Sequence, residues 1–471
     1  AERRATPVSV SSPPPEKTGA SGGLITMHTW YEQAVFYHIY PLGLLGAEKT
    51  NTLTETAHRL TELESWIPHI SDLNGSAIYI GPLFESCTHG YDTKDFRLVD
   101  RRLGSNEDFA RFVRLCHENG IRVVVDGVFN HTGREFFAFQ DIREKREASP
   151  YKDWYRGVNF GWGSPLGDPF GYEAWQGHFE LPCLNLWNPE VRQYLFDSIQ
   201  FWVDNFNIDG IRLDCANVLD FGFMKELREK TSAMKPDFWL MGEVIHGEYN
   251  RWVNPEMLHS VTNYELHKAL YSGHNDHNYF EIAHNVRRLE AVGRSLYTFV
   301  DNHDEDRIAS KLNNLANLFP VYQLLFTLPG IPSVYYGSEW GIEGKRSRTS
   351  DEVLRPALNL SDMLGKAPEL ASHIAALGKI HTENDAFHNG SYKELLLTNR
   401  QYAFSRSGEH GTVISAVNND EQPASISIPL PCAASDVVSL LPGEIPFSLE
   451  NGRLSVTLPA NGGAIFKLQE V

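Results

Sequence analysis

Short runs rich in β-branched and aromatic residues alternate along this chain with longer stretches whose apolar positions recur every three or four residues. The short runs lie at 34–40 (AVFYHIY), 76–80 (SAIYI), 121–126 (IRVVVD), 208–214 (IDGIRLD), 238–243 (FWLMGE), 261–265 (VTNYE), 296–301 (LYTFVD) and 331–336 (IPSVYY). Each has the length and composition of a buried strand, while the stretches between them, such as 107–119, 190–206 and 223–234, carry one apolar face and read as helices. Strand and helix in strict alternation predict an α/β fold, a (β/α)8 TIM barrel. A doubly wound open sheet shares that periodicity. No G-x-G-x-x-G or Walker A loop follows any of the strands, which weakens the nucleotide-binding form of the alternative.

Three segments depart from the alternation. Residues 131–187, between the third strand and the next helix, hold Trp154, Trp162, Trp175 and Trp187, and an insertion of that length is expected to be a subdomain or a functional loop. From 386 to 471 the text becomes short alternating strands (TVISAVNN, ASISIPL, RLSVTLP, GAIFKLQ) punctuated by Asn, Gly and Pro, which predicts a separate antiparallel β-domain. The barrel is then assigned to 27–130 and 188–385. Residues 1–26 contain Pro13, Pro14, Pro15 and several glycines but no apolar signal core, so they read as a flexible leader or an appended extension ahead of Met27.

Composition narrows the partners. The chain has 42 Lys+Arg against 60 Asp+Glu, a formal charge of −18, which argues against nucleic acid and anionic membranes. No apolar run approaches the ~20 residues of a membrane span. Five scattered cysteines without C-x-x-C spacing offer neither a disulfide framework nor a zinc site and fit a reducing, cytoplasmic compartment. Oligomeric state is not legible.

Candidate chemistry concentrates at strand ends, where a barrel of this kind gathers its functional residues. Strand three ends in Asp126, Asn130 and His131, strand four in Arg212 and Asp214, strand five in Glu243 and His246, and strand seven in Asp301, His303, Asp304 and Arg307. Arg212 and Asp214 are two apart on a strand and point to one face, so the guanidinium is expected to hold the carboxylate ionised, as a nucleophile requires. Glu243 follows the apolar run FWLMG, whose desolvation would raise its pKa and suit it to be a general acid. An ionised and a protonated carboxyl flanking one bond is the arrangement that cleaves glycosides. An internal salt bridge for Arg212 and Asp214 and a helix-cap contact for Glu243 are the structural alternatives.

The motifs DGVFNH, LPCLN, GIRLDCAN, GEVIH, VDNHDEDR and GIPSVYYGSEWG, together with HGYDTKDF at 89–96, resemble in order and spacing those of the α-amylase family of glycoside hydrolases. The resemblance implies Asp214 as nucleophile, Glu243 as acid/base and Asp304 as transition-state stabiliser, with Tyr91, His131, Arg212 and His303 around the sugar ring. It also implies a domain inserted after strand three and a C-terminal β-sandwich. LPCLN followed by NPE, Asn217 and His246 are similar to the cyclomaltodextrinase and neopullulanase branch, although Val218 replaces its usual acidic residue and its N-terminal domain has no counterpart before the barrel. Asn217 and His246 are thereby expected at the substrate. The resemblance further implies that Asp92 and Arg307 close the pocket around a non-reducing-end glucose, unless they form a salt bridge in an open cleft. Val218 stands where calcium-binding relatives have His, so neither a cofactor nor an essential calcium is expected. The loop with His274, Asp276 and His277 lacks a well-spaced third ligand, so no metal is assigned there. The implied activity is hydrolysis of α-1,4-linked maltooligosaccharides or cyclodextrins with retention. Glycosyl transfer or isomerisation through the same covalent intermediate is the alternative, and a non-catalytic carbohydrate-binding scaffold is disfavoured by the intact carboxylates.

Overall fold

The computed structural model describes residues 29–471, and the leader expected at 1–26 lies outside them. Eight parallel strands, β1 (Phe36–Ile39), β2 (Ala77–Ile80), β3 (Arg122–Gly127), β4 (Gly210–Leu213), β5 (Trp239–Gly242), β6 (Ser260–Val261), β7 (Tyr297–Phe299) and β8 (Ile331–Tyr335), form one sheet in the order β6-β5-β4-β3-β2-β1-β8-β7. A parallel bridge between Thr262 and Tyr297 joins its two ends and closes the barrel. Closure excludes the open doubly wound sheet. The sixth strand is shorter and earlier than the sequence suggests. Asn263 caps the following helix, Tyr264–Asn275, by accepting from Leu266 N, and so turns the VTNYE run helical after Thr262.

Local sequence explains the helices that brace the barrel. Helix Asn106–Glu118 begins in a capping box, in which Ser105 Oγ accepts from Asp108 N (3.1 Å) and Asp108 Oδ2 from Ser105 N (2.9 Å). Such a cap contributes about 1 kcal/mol. Phe109, Phe112, Val113 and Cys116, spaced three and four apart, form its buried face. Helix Pro189–Phe206 starts with Pro at its first turn behind the Asn188 cap and stops at Asn207, which adopts left-handed dihedrals. Among the described residues no helix is long and apolar enough to cross a membrane.

Residues 131–187 fold over the barrel mouth as helix Phe137–Lys145 and a two-stranded ribbon, Ala174–Trp175 with His178–Pro182, pinned at its base by the His131–Cys183 bridge. After the barrel, β9 (Ser391–Leu397), β10 (Gln401–Gly408), β11 (Gly411–Asn418), β12 (Ala424–Pro429), β13 (Ala434–Ser439), β14 (Phe447–Glu450), β15 (Arg453–Leu458) and β16 (Gly462–Glu470) make two antiparallel sheets, β9-β10-β11-β16-β13 and β12-β15-β14. Ile414, Ile428, Val456 and Phe466 pack between them. Buried polar groups fasten these sheets to helix Leu318–Thr327. Gln323 Nε2 reaches Ser415 Oγ, Ala416 O and Ala464 O, and Arg406 Nη1 donates to Thr327 O (2.8 Å).

Candidate active site

Alternation along β3, β4 and β5 turns Val124, Asp126, Arg212, Trp239 and Met241 toward the barrel axis, and one further step past the strand ends brings Asp214 and Glu243 to the same side. Register sets Arg212 beside Asp126 and Met241. The Arg212 guanidinium is buried at the centre. Its Nη1 donates to Asp126 Oδ1 (3.0 Å) and Asp214 Oδ1 (2.8 Å), and its Nη2 lies 2.7 Å from Glu243 Oε2. Tyr79 OH donates to Asp126 Oδ2, so Asp126 orients the cation without reaching the cavity wall.

Burial and charge act against each other on these carboxyls. Burial pushes Glu243 up to about 7, with Asp214 and Asp304 adding to the rise and Arg212 opposing it. Asp126 is driven up to about 6 by burial, again against Arg212. Asp214 is also raised: burial outweighs Arg212 and the Cys215 thiol, which oppose it, while Asp126 adds to it. Burial therefore works against the ionised state that Arg212 is expected to hold at Asp214. One guanidinium shared among three carboxylates neutralises each only partly.

Asp304 projects from the loop after β7. Arg355 Nη2 donates to its Oδ1 (2.9 Å), and His303 Nε2 lies 3.2 Å from its Oδ2 and 2.7 Å from Tyr91 OH. The Arg355 guanidinium stands 4.5 Å over the Tyr40 ring, which also stacks on His303. Arg355 is the main functional candidate that sequence reasoning missed. It caps a short 3-10 helix, Glu352–Leu354, in the segment after β8, where only its contact with Asp304 marks it. A cavity of about 720 Å³ opens over this group, lined among others by Tyr91, His131, Trp175, Asp214, Glu243 and Asp304. His131 is buried in its wall, and burial together with His89 lowers its pKa to about 4, so the imidazole is neutral.

The other sequence candidates fall elsewhere. Asp92 and Arg307 neither pair nor line the cavity. Asp92 is buried and accepts from Thr88 N and Thr88 Oγ1, while Arg307 is wholly buried and donates to Tyr336 O, Ser338 Oγ and Leu354 O. The motif position of Arg307 thus serves the barrel rather than the sugar, and the pocket-closing pair does not form. Asn217 and His246 are exposed on the loops after β4 and β5, outside the cavity lining. Of the insertion's tryptophans, Trp154 is core and Trp175 is cavity wall, whereas Trp162 and Trp187 are 68% and 77% exposed and stand outside the lining of this cavity. His274 is held by Leu270 O and Tyr279 OH at a helix end, and His277 faces Asn419 and Glu421.

Comparison with known proteins agrees with this architecture. Residues 51–366 match the alpha-amylase catalytic domain. A cyclomaltodextrinase of Geobacillus thermopakistaniensis is 30% identical over 470 residues, covering 93% of this chain and 78% of the relative. A cyclomaltodextrinase of Thermoanaerobacter pseudethanolicus is 32% identical over 418 residues, covering 83% and 71%. Among solved structures, the Nostoc punctiforme debranching enzyme superposes with a TM-score of 0.80 at 27% identity, covering 93% of this chain and 98% of that one. A family model spanning most of the barrel, on a chain whose barrel-end carboxylates converge on one buried arginine, leaves one conclusion: the chain belongs to the α-amylase family of glycoside hydrolases.

Proposed function

We propose that this chain hydrolyses α-1,4-glucosidic bonds of maltooligosaccharides or cyclodextrins with retention, using Asp214 as nucleophile, Glu243 as acid/base and Asp304 to stabilise the oxocarbenium-like transition state. The observation that carries this reading is the single guanidinium of Arg212 spanning both Asp214 Oδ1 and Glu243 Oε2. It supports the short carboxyl separation of retaining enzymes, and the site favours a proton on Glu243, whose pKa burial lifts to about 7.

In the first step Glu243 gives its proton to the glycosidic oxygen as that bond breaks, and Asp214 forms a bond to the anomeric carbon. In the second, Glu243, now a carboxylate, takes a proton from water. The oxygen of that water displaces Asp214 from the same carbon, which restores the original configuration and both carboxyls. Asp304, held by Arg355 and His303, supplies negative charge where the ring develops positive charge. Tyr91 and neutral His131 furnish a ring face and a hydrogen-bonding edge for the bound sugar. Arg355 acts through Asp304 and is a positioning residue.

Two features support the substrate assignment: the relatives named cyclomaltodextrinase, and a crystal of the Nostoc enzyme soaked with acarbose. No resident metal takes part in this scheme, and Val218, 49% exposed on the loop after β4, offers no ligand to a calcium ion. A cytoplasmic location is supported by five unpaired thiols among the described residues. The assignment is tested with Asp214→Asn on an activated aryl α-glucoside. Loss of turnover is expected, and unchanged turnover would remove Asp214 from the nucleophile's role.

A further inference from the structure

One group in the cavity has no part in the hydrolytic scheme. The Cys215 thiol follows the nucleophile directly, lines the cavity, and is held there by an unusual backbone: Cys215 is left-handed at φ 39°, ψ 50°, with its N–H donated to Glu243 Oε2 at 3.2 Å. A non-glycine residue in that region is strained, and such strain persists only where the surroundings enforce it. The turn brings Sγ to 3.3 Å from Asp214 Oδ2, the oxygen that Arg212 does not occupy. Facing this pair is His131, buried in the wall, whose Nε2 makes no hydrogen bond of normal geometry. One donor atom from each of these three residues lies within 4.8 Å of the others, the only such His/Cys/Asp/Glu trio among the described residues.

We propose that this cavity carries a binding site for one thiophilic divalent cation such as Zn²⁺, coordinated by His131 Nε2, Asp214 Oδ2 and Cys215 Sγ, and that the cation and the sugar exclude each other. Bond lengths of about 2.3 Å to sulfur and 2.1 Å to oxygen in a tetrahedron put those two atoms roughly 3.6 Å apart. The observed 3.3 Å is close to that. The imidazole closes the remaining gap, with its proton on Nδ1 toward the Asn130 side chain, 3.1 Å away, and the Asn130 amide turned to accept it. A water completes four-coordination. Binding releases the thiol proton to solvent, so the thiolate and the Asp214 carboxylate together neutralise the dication. The flanking arginines are offset by carboxylates of their own, Arg212 by Asp126 and Arg355 by Asp304, so they leave no net positive charge against a cation. Because Asp214 would be a ligand, an occupied site has no free nucleophile.

The inference goes beyond the glycosidase reading and is tested without turnover, with Co²⁺ as probe on the full chain. Titration should give one equivalent with tetrahedral visible bands and a near-ultraviolet thiolate-to-cobalt band, both suppressed by saturating acarbose. Cys215→Ala should abolish the near-ultraviolet band and weaken Co²⁺ binding at least about tenfold. Cys215→Ser serves if the alanine variant does not fold, since a hydroxyl gives no such band. His131→Gln should weaken binding but keep the band. With Zn²⁺ at its dissociation constant, competitive exclusion doubles the apparent KM and leaves kcat unchanged. A thiolate band that survives Cys215→Ala, is indifferent to acarbose, or never forms in the native protein overturns the proposal. A native protein that gives the band but hydrolyses no α-glucoside would instead sink the glycosidase reading alone.

Discussion

Replacing Glu243 by Gln should stabilise the protein, and the gain should depend on pH in a way that reports the environment of the acid. In the folded chain burial holds the Glu243 carboxyl at about 7 instead of the ordinary 4.5. The native state therefore binds this proton more tightly than the unfolded chain does. Stability from this group is complete below the unfolded value, declines as pH rises from about 4.5, and is lost once pH passes the folded value. Gln mimics the protonated carboxyl and escapes the decline. Integrating the linkage gives a stabilisation of Glu243→Gln that grows from about 1 kcal/mol at pH 5 to about 3 kcal/mol at pH 8. Calorimetric melting of both proteins at the two pH values measures the difference, with the variant's Tm advantage widening toward pH 8. If Glu243→Gln is equally or less favourable at pH 8, Arg212 outweighs burial, the acid is ionised at neutral pH, and the proposed division of protons is wrong.

Other consequences follow from the same geometry. The native kcat/KM should fall about tenfold per pH unit above pH 7 as Glu243 loses its proton, and Asp304→Asn should move any residual alkaline limb downward, because Asp304 helps to raise Glu243. Arg355→Met should cost roughly tenfold in kcat/KM by releasing Asp304 from a charged hydrogen bond worth about 1.5 kcal/mol; Arg355→Lys should recover part of it, in steady-state assays. Arg307→Met should lower stability by about 2–4 kcal/mol, since it orphans buried acceptors at Tyr336 O and Ser338 Oγ, while KM for short and long maltooligosaccharides shifts equally. Prolonged dialysis against EDTA should change neither Tm nor kcat, the outcome expected of a chain with Val218 where calcium-binding relatives carry a ligand.

What could be read from the chain divides by the range of the interaction. All eight barrel strands were visible because buried parallel strands are short, apolar and β-branched, and the pairing of Arg212 with Asp214 followed from two-residue periodicity alone. Strand six slipped because the Asn263 cap competes for the same residues. The rise at Asp214 is not legible in the sequence, because it comes first from burial in the assembled barrel and then from Asp126, a carboxylate on a strand far away in sequence. The role of Arg307 stays open in the sequence because a motif fixes a residue's place in the chain but not the direction of its side chain, which here turns into the barrel wall. Arg355 carries no periodic or motif signal. Its role appears only when the loop after β8 folds back on Asp304.

In the proposed first step Asp214 becomes covalently bound to the sugar. Incubation with 5-fluoro-α-glucosyl fluoride, which slows release of the glycosyl-enzyme more than its formation, followed by peptide mass spectrometry, tests it most directly. One fluoroglucosyl adduct per chain is expected, on the peptide bearing Asp214, absent after Asp214→Asn. An adduct on Glu243 or Asp304, or steady hydrolysis of the reagent with inversion and no adduct, would contradict it.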